Sequence, residues 1–149
     1  MYIKYALWSA LAGGLIPVMG VLNARLGMAI GNPLQAPVIL LIVALASGLA
    51  ASLALTSGLP STQSVARAAP LELAGGLIVC FYVFSATLLA PRIGIGNFIL
   101  FAVCAQIITS AAIDYFGWFG IVAKEISPLR AGGLILLLVG LLTTQLANR

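Results

Sequence analysis

Residues 38–55 read VILLIVALASGLAASLAL, a run with no charge in which Ser47 and Ser52 are the only polar side chains. About 20 apolar residues, rising 1.5 Å each, carry a helix across the hydrocarbon core of a bilayer. No water reaches that core, so each backbone N–H and C=O must find its partner within the protein, as a helix provides. A transmembrane barrel strand would instead alternate apolar and polar residues over about ten positions, and this run is continuous. Four further runs of the same kind flank it: Tyr5–Ala24, Leu71–Leu89, Asn97–Ile113 and Leu129–Leu146. The expected fold is an all-α membrane protein of five transmembrane helices. The whole chain, 1–149, reads as one membrane domain, because its longest polar stretch, Thr56–Pro70, holds Gly, Pro, Ser and Gln and reads as a loop.

Composition agrees with this. Hydrophobic residues make up 62% of the chain and charged residues 7%, against about 25% charged in soluble domains. The net charge is +4, yet the seven basic residues are scattered singly, without the clustered patch that nucleic acid requires. They fall near the ends of the expected helices, where long basic side chains reach the interface and lipid head groups. The first run, which begins after Lys4, is too long for a signal-peptide core and reads as a retained helix. With no His in the chain, a Ser/His/Asp set is excluded. No Walker-type glycine loop occurs, and Gly94-Ile95-Gly96 reads as a plain turn. Cys80 and Cys104 stand alone within their spans and read as buried thiols. No enzyme, cofactor or protein-ligated metal is expected.

Five spans put the termini on opposite sides. The N-terminal side receives Lys4, Arg67, Lys124 and Arg130, and the other side Arg25, Arg92 and Arg149. Membrane proteins orient by an excess of Lys and Arg on the cytoplasmic side, and four against three is almost no excess. Either other forces fix one orientation, or copies insert both ways and pair as an antiparallel homodimer. Small residues at helical spacing, Ala44, Gly48 and Ser52 in the second span, Gly20, Ala24, Gly27 and Gly31 around the end of the first, and Gly133 and Gly140 in the fifth, allow close helix contact.

Polar groups inside spans are costly and call for a partner or a function. Gln106, Ser110 and Asp114 recur every fourth residue and share one helix face. They read either as interhelical hydrogen bonding ending in an interfacial acid, or as a polar stripe along a substrate path. Trp8 and Asn23 lie on a stripe of the first span, which Pro17 interrupts. Such an interruption is either a packing kink or a transporter site, where half-helix ends coordinate ligand. If that helix continues to Gly31, Arg25 lies inside the membrane boundary. Its planar fork would then hold a carboxylate through two oxygens, or else a lipid phosphate. No carboxylate sits near the middle of any span. Glu72 and Glu125 fall in loops, which tilts the reading toward a neutral or anionic substrate.

Pro17 followed by Asn23-Ala24-Arg25-Leu26-Gly27 resembles the first-helix signature of the five-helix bacterial and archaeal branch of the drug/metabolite transporter superfamily. The later runs Gly75-Gly76, Tyr82-Val83, Ala90-Pro91-Arg92-Ile93-Gly94, Gln106, Asp114-Tyr115-Phe116-Gly117, Ser127-Pro128-Leu129-Arg130 and Gly132 resemble it in the same order. Ala105 stands where the family often has Gly, and Tyr115 where it often has His. The resemblance implies a half-size transporter in the inner (plasma) membrane of a bacterium or archaeon. Larger members carry two inverted five-helix repeats, so a five-helix chain would rebuild that plan by antiparallel pairing, with the site near midplane.

The leading reading is a secondary transporter of small organic anions, carboxylates, with Arg25 holding the charge. Asn23, Gln106 and Ser110 would hydrogen-bond the substrate, and Trp8 and Tyr82 would form an apolar wall. A second reading is a proton-coupled exporter of cationic or amphipathic drugs, with Asp114 as the coupling acid, as in the distantly similar small multidrug resistance proteins. A third is a non-transporting subunit of a larger membrane complex.

Overall fold

A computed structural model of the chain describes residues 2–56 and 58–147. Its elements are α1 (Tyr2–Ala29), α2 (Ala36–Thr56), the short helices α3 (Thr62–Ala66) and α4 (Pro70–Leu73), α5 (Gly75–Ile93), α6 (Ile95–Phe116), a 3-10 turn at Trp118–Gly120, and α7 (Pro128–Ala147). The described residues contain no strand. Five helical segments are long and apolar enough to cross a membrane, with α4 and α5 counting as one segment, Pro70–Ile93. The five-helix expectation is met. Arg149, counted above on one side of the bilayer, lies outside the described residues.

The ends of the helices differ from the hydropathy-based bounds for local reasons. α1 continues past Asn23 and Arg25 to Ala29, because helical backbone tolerates both residues. Gly31 stops it, turning left-handed at φ 71°. Asn32 Oδ1 then accepts from Leu34 N–H at 3.0 Å and closes the turn into α2. The stretch Thr56–Pro70 is not wholly loop. Ser61 Oγ accepts from Ser64 N–H at 3.1 Å and caps α3, as serine favours at a helix start. Glu72 Oε2 accepts from Ala69 N–H at 2.9 Å and supports α4. The Gly94-Ile95-Gly96 turn shrinks to Gly94, at φ 87°, because α6 already begins at Ile95.

The chain forms two compact units, one up to Ile95 and the other from Gly96 onward. In the first, α1, α2 and α5 pack on one another. Glycine makes the closest approach possible. A Cβ on Gly27 would stand 3.0 Å from Pro33 Cα and 3.6 Å from Ala36 Cβ, so the turn folds directly onto α1. Ala36 and Pro37 are fully buried there.

In the second unit α6 and α7 form a hairpin held near both ends by side chains. Gln145 Nε2 donates to Asn97 Oδ1 at 3.1 Å. Near the other end the Arg130 guanidinium donates to Asp114 Oδ2 at 2.7 Å. Between Phe116 and Pro128 the chain reverses through Gly117, at φ 65°, and Lys124 N–H donates to the Asp114 carbonyl at 2.8 Å. Ser127 Oγ accepts from Arg130 N–H at 3.2 Å and caps α7, with Pro128 at its first position.

Candidate functional site

Polar chemistry in the first unit gathers where α1 meets α5. Asn23 and Thr87 are each 4% exposed, and each lies six residues before its helix ends, or about 9 Å. This is the last third of both helices. The Asn23 amide nitrogen donates to Thr87 Oγ1 at 2.5 Å. Thr87 spends its one hydroxyl proton on the Val83 carbonyl at 2.8 Å, so toward Asn23 it can only accept. That directs the Asn23 N–H₂ group to Thr87 and leaves Asn23 Oδ1 buried with no hydrogen-bond partner.

Arg25 lies two residues further along α1, about 200° around the helix from Asn23. It lines a cavity of about 430 Å³ formed by α1, the following turn and α5. Val21, Ala24 and Met28 wall it on the α1 side, with Ala90, Pro91 and Ile95 opposite. Thr87 and Arg25 are its polar side chains. Pro91 has no N–H, so the Thr87 carbonyl lacks the donor that position 91 would otherwise supply. No carboxylate pairs with Arg25 among the described residues. A second hollow, of about 380 Å³, lies between α1 and α2 and is apolar except for Asn23.

The sequence-derived candidates therefore divide. Thr87, which the sequence reading did not single out, bonds Asn23 and lines the cavity with Arg25, whereas Asn23 itself borders the other hollow. Trp8 is 77% exposed and lines neither hollow. Tyr82 is half-buried on α5, one turn before Thr87, and also lines neither. Gln106 and Ser110 are exposed on α6, and their side chains make no hydrogen bond among the described residues. Asp114 is half-buried and held by Arg130. That partner sits across the turn, sixteen residues on, beyond the reach of a helical-face pattern. Among the described residues no group of three or more His, Cys, Asp or Glu side chains is placed to hold a metal, and Cys80 and Cys104 are free thiols.

Five apolar helices with a ligand-sized hollow at a buried polar pair describe a multi-pass membrane protein of the transporter class. The chain belongs to the family described as "Putative inner membrane exporter, YdcZ", whose family model matches residues 4–143. Its five helices fit the plan of a drug/metabolite-type half-transporter, and its family is one of inner-membrane transporters rather than enzymes. No curated protein and no solved structure matches the chain.

Proposed function

We propose that this protein is a secondary transporter that exports small organic anions, carboxylates, across the inner membrane of a bacterium or archaeon. It works by alternating access in an antiparallel homodimer of oppositely inserted chains. The observation that carries this reading is the state of the charged groups. Arg25 borders a cavity with no carboxylate beside it. Asp114, near the end of α6, is already bound by Arg130. Arg25, exposed and without a carboxylate partner among the described residues, favours a carboxylate that can take two of its N–H groups at once. With Asp114 engaged in an ion pair and no acid lining the Arg25 cavity, the charged groups favour an anion over a cation.

The near-even split of basic residues, four against three, supports insertion in both orientations. A Cβ added at Gly48, Gly133 or Gly140 would meet nothing within 4 Å, so these glycine surfaces are open to a second copy. Rocking of the two inverted halves would expose the Arg25 cavity to each side in turn. Asn23 holds α1 to α5 beside it, while Gln106 and Ser110 supply polar groups along α6. Efflux of a labelled carboxylate from proteoliposomes, wild type against Arg25→Ala, tests the proposal. Loss of flux is expected, and flux unchanged by the substitution would remove Arg25 from the mechanism.

A further inference from the structure

We infer that the Arg25 cavity selects monocarboxylates that carry an apolar body, an aromatic ring or a short alkyl chain, and rejects dicarboxylates and zwitterions. The inference rests on the anion-transport reading and narrows its substrate class. Three features of the cavity carry it.

The first is charge. Arg25 is the one cation among the lining residues, and one guanidinium matches one carboxylate. A second carboxylate would find no positive group in the lining to receive it. The second is the absence of acid. The chain contains three acids, and none lines the cavity. Asp114 is bound to Arg130, and Glu72 accepts from Ala69 N–H. The ammonium of an amino acid would therefore meet no counter-charge. The third is the wall. Val21, Ala24, Met28, Ala90, Pro91 and Ile95 present hydrocarbon, and about 430 Å³ falls in the size range of small-molecule sites. Each methylene buried against such a wall strengthens binding about fourfold. Going from acetate to hexanoate therefore gains roughly two orders of magnitude.

An anion with an apolar body can be a free metabolite or a membrane lipid, and the test separates the two. Purified full-length protein is reconstituted in phosphatidylcholine vesicles, and labelled benzoate is followed by counterflow. Benzoate should exchange, and hexanoate should compete at concentrations roughly a hundredfold below acetate. Succinate and alanine should fail to compete at a hundredfold excess over benzoate. Ala24→Leu, which narrows the wall, should weaken hexanoate more than acetate, and Arg25→Lys should retain part of the exchange that Arg25→Gln loses. Competition by succinate or alanine equal to that by benzoate would overturn this inference and leave the wider anion reading intact. Movement of an organic cation with no anion exchanged would overturn both. If vesicles containing phosphatidylglycerol no longer exchange benzoate, and Arg25→Gln abolishes that lipid's binding, the cavity holds a lipid head group and the inference is wrong.

Discussion

Replacing Thr87 by Val should destabilise the protein more than replacing its partner Asn23 by Leu. Both side chains are 4% exposed and joined by the hydrogen bond from Asn23 Nδ2 to Thr87 Oγ1. Val keeps the volume of Thr but removes the acceptor. The Asn23 amide, whose oxygen is already unpaired, then loses its nitrogen's partner as well. An orphaned buried polar group costs about 1–3 kcal/mol, and with the whole amide stranded we expect about 2 kcal/mol. In Asn23→Leu no orphan remains, because the Thr87 hydroxyl keeps its bond to the Val83 carbonyl. The loss is then closer to the average interhelical hydrogen bond in membrane proteins, about 0.6 kcal/mol. Adding Thr87→Val to Asn23→Leu should cost little more, because the stranded amide is gone. At about 2–4 °C per kcal/mol for a chain of this size, thermal unfolding of the detergent-purified protein should fall by roughly 6 °C for Thr87→Val and by roughly 2 °C for the other two. Equal shifts for the two single variants, or a double variant that loses the sum, would refute this description of the pair.

The Asp114–Arg130 pair sets a second expectation. With both side chains partly exposed, at 29% and 39%, Asp114→Asn should cost no more than about 1 kcal/mol, and carboxylate exchange should persist. Proton-coupled drug flux abolished by the same substitution would support the cationic-drug reading instead. Gly117→Ala should loosen the α6–α7 hairpin by about 1–2 kcal/mol. The new methyl would sit at φ 65° and 3.0 Å from the Ile121 carbonyl, and faster proteolysis in residues 117–127 would report the change. Gly27→Val, whose Cβ would press on the Pro33 backbone, should lower the melting temperature by an amount consistent with about 1–3 kcal/mol of overpacking. A melting point unchanged from wild type would contradict the close approach of α1 and its turn.

The five helices were legible because each apolar run is long enough to span lipid, and hydrocarbon leaves the backbone little choice but helix. Their ends were not, because hydropathy falls at Asn23 and Arg25 while the helix runs on until Gly31 takes a left-handed turn. Asn23 and Arg25 stood out as polar groups in an apolar run. Thr87 did not, since threonine in a helix can satisfy its own hydroxyl on the carbonyl four residues back, as Thr87 does with Val83, and so announces no need for a partner. Trp8 shared a stripe with Asn23, yet α1 is apolar on every face, and a stripe on such a helix does not distinguish the lipid side from the protein side. Spacing along α6 grouped Asp114 with Gln106 and Ser110. Its partner, Arg130, comes from the next helix across a tight turn, a pairing set by tertiary geometry.

The most direct measurement is equilibrium binding of benzoate to the purified protein, by calorimetry and by thermal shift, for wild type, Arg25→Lys and Arg25→Gln. Saturable binding to wild type should raise the unfolding free energy by about 2.7 kcal/mol at one hundred times the dissociation constant. It should weaken in Arg25→Lys and vanish in Arg25→Gln. Undiminished affinity in Arg25→Gln, or saturable binding of an organic cation alone, would contradict the account.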